Sequence, residues 1–114
     1  MFERGKLVLV PFPFTELSAQ KVRPAVIISR EQENNDTVVV VFVSSVIPIT
    51  LARTDVMLDP TKKTLAVTGL KKVSVVRCHK IATLDKRIIL GEIGHVPTAQ
   101  MKTVSIALRT VLHL

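Results

Sequence analysis

The segment Val75-Val76-Arg77-Cys78-His79-Lys80 carries the densest chemistry in the 114-residue chain. Strand alternation puts Arg77 and His79 on one face, about 7 Å apart at Cα. A fixed cation beside an imidazole suits phosphodiester chemistry. The imidazole, with a reference pKa of about 6.5, takes a proton from a ribose 2′-OH while the guanidinium stabilises the phosphorane. RNA brings its own nucleophile, so neither a serine nor a metal-bound hydroxide is required. The same pair also fits a solvated polar face on a half-buried strand. Cys78 points to the opposite face, where a free thiol behaves as a small buried hydrophobe.

Arg23 precedes Pro24 and four apolar residues, so its side chain stands where a loop enters a strand. A guanidinium there gives bidentate hydrogen bonds to phosphate, or pairs with Glu16 or Glu31 on the surface. Ser44 and Ser45 close the most apolar run of the chain. Their hydroxyls can donate to a phosphate oxygen or simply form a turn. No Gly-rich phosphate loop, His-Glu-x-x-His, Gly-x-Ser-x-Gly or Cys-x-x-Cys occurs, which argues against nucleotide hydrolysis and zinc catalysis. His79, His95 and His113 are scattered, and no metal site or other cofactor is expected.

The charge distribution points to a polyanionic partner. The formal net charge is +7, and residues 1–57 balance six basic against six acidic side chains, whereas residues 58–114 hold ten basic and three acidic. Between Lys62 and Arg87 eight cations meet only Asp85. Such a cluster raises encounter rates with nucleic acid or an acidic protein segment and gains counterion release on phosphate. With neither Tyr nor Trp and four Phe, stacking on bases would be sparse. One cysteine excludes an intramolecular disulfide and fits a reducing cytoplasm. The opening residues do not read as a signal peptide, and the longest apolar run, Val38–Val43, is too short for a membrane span.

The elements that must position these side chains are mostly strands. Runs at Leu7–Phe14, Val22–Ser29, Thr37–Val46, Thr54–Leu58 and Val73–Thr83 are β-branched or apolar and separated by turn formers. A short strand at Ile88–Ile93 follows. Asn34-Asn35-Asp36 has hairpin chemistry and should pair the second and third strands antiparallel. Ala25–Ile28 and Val38–Val43 are apolar on both faces, so each should be covered twice, by the barrel core and by a helix or second subunit. Thr15–Lys21, Pro48–Arg53 and Asp59–Lys63 read as rim loops. From Thr98, a plausible N-cap after Pro97, Met101, Val104, Leu108 and Val111 recur at helical spacing. The expectation is one domain over residues 1–114: a mainly β (α+β) fold, with a strongly curved antiparallel sheet and a C-terminal α-helix.

In this order the motifs resemble the MazF/PemK/Kid family of toxin–antitoxin ribonucleases, over nearly the whole chain. Gly5–Val10 is similar to the family's opening strand, and Lys21-Val22-Arg23-Pro24-Ala25-Val26-Ile27-Ile28-Ser29 to its Arg-Pro segment. Val41-Phe42-Val43-Ser44-Ser45 is similar to the third strand. Ala52-Arg53-Thr54, Val75-Val76-Arg77-Cys78 and Thr83-Leu84-Asp85 resemble the Kid-type branch. The resemblance implies a small SH3-like barrel of the CcdB/Kid/MazF type, a homodimer, and metal-independent cleavage of single-stranded RNA to 2′,3′-cyclic phosphate and 5′-OH ends. By position, Arg23 would stabilise the scissile phosphate, Ser44 would stand in for the usual Thr, and Arg77 would act as acid or phosphate ligand. His79 would take the place of an Asp base. Ser18, Gln20, Lys21, Ser45, Arg53, Lys71, Lys72 and Lys80 would contact RNA, and a cognate acidic antitoxin would cover the groove. The loop Leu17–Val22 lacks the Glu and Gly common in MazF, so no recognition sequence carries over. The rival readings are a non-catalytic toxin of the same fold that binds a protein such as DNA gyrase, and an inactive nucleic-acid-binding homologue.

Overall fold

The computed structural model describes residues 2–12, 21–31 and 35–114. Six strands form one antiparallel sheet: β1 (Lys6–Phe12), β2 (Lys21–Ile27), β3 (Thr37–Ser44), β4 (Asp55–Leu58), β5 (Ser74–Asp85) and β6 (Gly91–His95). Their spatial order is β4-β5-β3-β2-β1-β6, and helix α1 (Thr98–Leu112) closes the chain. The curved antiparallel sheet with a terminal helix agrees with the sequence, its curl stopping at a half-barrel with β4 and β6 at its two ends. β2 and β3 pair antiparallel as expected, from Ala25 opposite Phe42 to Ile27 opposite Val40. Of the Asn34-Asn35-Asp36 turn, Asn34 lies outside the described residues, as do Pro13–Gln20.

Alternation sorts the apolar residues into two layers. Leu7, Val26, Val41, Val76 and Cys78 face a core closed by Met101, Val104, Ala107 and Leu108 of α1. Val8, Val10, Ala25, Ile27, Val38 and Val40 face the other way. Each fully buried Val or Leu contributes about 1.5–3 kcal/mol, so both layers matter. Helix α1 packs on the first layer and not on the second, so the helical cover that the doubly apolar strands suggested serves one face of the sheet. Phe2, Phe42, Ile88 and Ile89 of the same chain pack on the second layer.

That packing explains the other departures. The strand expected at Ile88–Ile93 begins three residues later, because Asp85 accepts a hydrogen bond from Arg87 N at 2.8 Å and caps a 3-10 turn at Lys86–Ile88. The turn drops the two isoleucines onto the second layer. Thr98 is not the N-cap of α1. Pro97 holds that position and offers no side-chain acceptor, while its carbonyl accepts from Met101 N at 2.9 Å. Between β4 and β5 the chain forms a 3-10 helix, Lys63–Thr68. Gly69 follows at φ 72° and carries the chain over β6, where an added Cβ would overlap the Ile93 carbonyl.

β5 turns a corner that matters for chemistry. Phe42 pairs with Arg77, but Val41 pairs with Ile81, so Cys78, His79 and Lys80 have no counterpart on β3. Bulges of this kind bend a strand and redirect its side chains. Before the corner, Arg77–Ser74 also pair with Asp55–Leu58 of β4.

Candidate functional site

The sheet register sets the site. Asp55 pairs with Arg77, Arg77 with Phe42, and Phe42 with Ala25, so these four side chains share one face of β4, β5, β3 and β2. Arg23 lies two residues from Ala25 and Ser44 two residues from Phe42, which puts both on that same face. At ~4.8 Å between strands and ~3.4 Å per residue, Arg77 lies roughly 8 Å from Ser44 and roughly 12 Å from Arg23 at Cα. Arginine side chains are long enough to converge on one phosphate across that span.

Arg77 is the best-held cation of the group. Its Nε stands 3.0 Å from Asp55 Oδ1, with the Asp55 side chain 1% exposed and that of Arg77 26% exposed. The two atoms are close, but neither makes an aligned hydrogen bond, so the contact is Coulombic. The other carboxylate oxygen, Oδ2, accepts from Ala52 N at 2.9 Å. The far end of the guanidinium, Nη2, lies 3.4 Å from His79 Nε2. His79 itself is exposed and open to a ligand.

Ser44 forms the turn that its place at the end of a strand suggested. Its Oγ accepts from Val46 N at 3.1 Å. Its proton reaches only Val46 O, at 3.5 Å, which leaves a hydroxyl donor available to a phosphate oxygen.

A cleft of about 350 Å³ lies at the same end of the sheet. Val22, Pro24, Val43, Leu9, Leu70 and Ile93 give it an apolar wall, and Arg23, Ser45, Lys71 and Lys72 supply its polar groups. Val43 and Ser45 alternate with Ser44, so the cleft lies on the opposite side of the strand ends from Arg77. Arg23 borders both regions. The apolar wall was not read from the sequence, because Leu70 and Ile93 come from separate segments that only the Gly69 crossing brings together.

The remaining expected contacts are spread around this rim. Lys21 is exposed at the start of β2, Arg53 in the turn before β4, and Lys80 on the β5 corner beside His79. Ser18 and Gln20 lie outside the described residues. Asp55 was missed, and the signal for it was faint: an acidic residue opening a short apolar strand. Cys78 is buried as expected, and burial, with the Asp55 charge as a lesser cause, pushes its thiol up to about 11. Among the described residues, no three His, Cys, Asp or Glu side chains group as metal ligands, and no helix is long and apolar enough to cross a membrane.

A six-stranded curled sheet, one C-terminal helix and a cationic rim define a MazF-type toxin fold. Residues 3–112 match the family described as PemK-like, MazF-like toxin of type II toxin–antitoxin system, and the chain belongs to that family. Its fold is similar to that of a mycobacterial endoribonuclease solved with its cognate antitoxin. That match has a TM-score of 0.78 and 23% identity, over 98% of this chain and 95% of that one. The Mycobacterium tuberculosis toxin MazF-mt6 matches with a TM-score of 0.74 and 23% identity, over 96% and 97% of the two chains. MazF from Deinococcus radiodurans matches with a TM-score of 0.75 and 21% identity, over 98% and 96%. No curated protein sequence matches the chain.

Proposed function

We propose that the chain is a single-domain toxin that cleaves single-stranded RNA without a metal ion. The observation that carries this reading is the held Arg77 guanidinium, which faces His79 at 3.4 Å on the same side of the sheet as Arg23 and Ser44. His79 takes the proton of the ribose 2′-OH, and the freed oxygen attacks phosphorus. Arg77 and Arg23 balance the extra charge of the phosphorane, and the Ser44 hydroxyl donates to one of its oxygens. The bond from phosphorus to the 5′ oxygen breaks, and that oxygen takes a proton from solvent at the open rim. Arg77 serves as a phosphate ligand rather than an acid, since a guanidinium keeps its proton in proteins. The products are a 2′,3′-cyclic phosphate and a 5′-OH.

The cleft with Lys71 and Lys72 extends the cationic track for the RNA strand, and Lys21, Arg53 and Lys80 flank it. The same surface suits the acidic segment of a cognate antitoxin, in keeping with the relatives from mycobacteria and Deinococcus radiodurans solved with theirs. Homodimerisation and a cytoplasmic location belong to this reading. A second reading, a non-catalytic toxin gripping a protein target, is favoured by one feature: Val46, Ile47, Ile49 and Leu51 form an exposed apolar loop.

Incubation of the purified protein with a long single-stranded RNA in EDTA, with mapping of cut sites and end chemistry, tests the proposal. Discrete cuts bearing cyclic phosphate and 5′-OH ends, lost in Arg23→Ala while the fold and most RNA affinity remain, are expected. Intact RNA from a folded protein would move the weight to the protein-binding reading.

A further inference from the structure

Asp55 plays no part in the reaction just described, yet it is buried beside Arg77 on that face. It is the first residue of β4, and its side chain is 1% exposed. A buried carboxylate is costly unless its charge is matched. Here one oxygen faces Arg77 Nε at 3.0 Å and the other accepts from Ala52 N at 2.9 Å. The backbone closes the same turn in the other direction, with Asp55 N donating to Ala52 O at 3.0 Å. Thr54 O accepts from Cys78 N at 3.3 Å, next to Arg77 on the β5 corner.

Two consequences follow from this geometry. An unanchored arginine samples many rotamers, and holding Nε from behind removes most of that freedom before any phosphate arrives. Engaging Nε rather than the terminal nitrogens leaves the outer end of the fork for His79 and a phosphate. The turn Ala52-Arg53-Thr54-Asp55 also carries the exposed Arg53, so a phosphate gripped by Arg53 pulls on the turn that holds Arg77.

We propose that Asp55 is a positioning residue: it presets the Arg77 guanidinium for the scissile phosphate and couples it to the Arg53 turn on the rim. This role rests on the ribonuclease reading above. Because Asp55 reaches no solvent, it touches neither the 2′-OH nor the leaving oxygen. Its effect therefore passes through Arg77, and the loss of Asp55 should appear in turnover and not in RNA affinity, which Lys71 and Lys72 carry.

Asp55→Asn is the first variant to make, since the amide oxygen still accepts from Ala52 N while the charge facing Arg77 is gone. Misplacing a catalytic group by about 1 Å costs on the order of a hundredfold, so kcat should fall about tenfold to a hundredfold with KM within about twofold. In the Arg77→Ala background the same change should have no further effect. Undiminished kcat in a folded Asp55→Asn, or a further loss on top of Arg77→Ala, would overturn the proposal. Should Asp55→Asn fail to fold, Arg77→Lys decides the matter, because it keeps the charge and removes the fork. Wild-type kcat in that variant would overturn the role, and a loss as large as that of Arg77→Ala would support it. A wild-type protein that leaves RNA intact would overturn the ribonuclease reading and this role with it, whereas cleavage by the wild type with an unaffected Asp55→Asn overturns this role alone.

Discussion

Arg77 Nη2 and His79 Nε2 meet at 3.4 Å on the corner of β5, where three residues have no partner on β3. The corner brings a strand's i and i+2 side chains closer than their Cα spacing of about 7 Å alone provides. In the proposed reaction His79 receives the 2′-OH proton, so His79→Ala should lower kcat by about 10²–10⁴-fold with the fold intact. Undiminished turnover in a folded His79→Ala would remove His79 from the reaction.

Lys71 and Lys72 line the cleft, and both are exposed. If they track phosphates, each alanine substitution should weaken RNA binding by about the same factor for every sequence. Each should also reduce the slope of log affinity against log salt by about 0.7, the single-strand value. Cleavage positions should stay where they are. Fluorescence anisotropy over a salt series with a non-cleavable oligonucleotide measures both quantities.

The cleft depends on two glycines. An added Cβ on Gly94 would overlap the Val67 carbonyl and lie 2.5 Å from Thr68 C, and one on Gly69 would overlap the Ile93 carbonyl. These atoms are backbone and cannot step aside, so Gly94→Ala should cost about 3 kcal/mol or more, beyond ordinary overpacking. Gly91, with nothing within 4 Å of its added Cβ, serves as the control and should change stability by less than about 1 kcal/mol. Urea unfolding of the three proteins provides the comparison.

Cys78 supplies a pH dependence of stability. Burial raises its thiol from an ordinary 9.0 to about 11, so the folded state holds this proton more tightly than the unfolded state does. Its contribution is whole below about pH 9 and is lost as the pH climbs through about 11. The stability gap between wild type and Cys78→Ala should narrow over that window. At neutral pH the native thiol should resist iodoacetamide and react once denaturant is added. Rapid labelling of the native protein would contradict the buried placement.

Local sequence pattern specified much of this protein. Runs of β-branched and apolar residues between turn formers placed most of the strands, and the spacing of Met101, Val104 and Leu108 placed the helix, because burial within one element is a local constraint written residue by residue. The Arg-Pro segment at Arg23 and the Arg-Cys-His triplet at Arg77 were legible for the same reason, since each lies within one strand. What covers the second apolar layer was not legible, because Phe2 and Ile88 reach it from distant parts of the chain. The β6 boundary depended on the Asp85 cap winning over the apolar pattern of Ile88 and Ile89. Nor did local spacing reveal that Asp55 holds Arg77, or that Leu70 and Ile93 share a wall with Lys71. Those relationships come from strand register and from the Gly69 crossing, which set neighbours across the sheet and leave almost no trace along the chain.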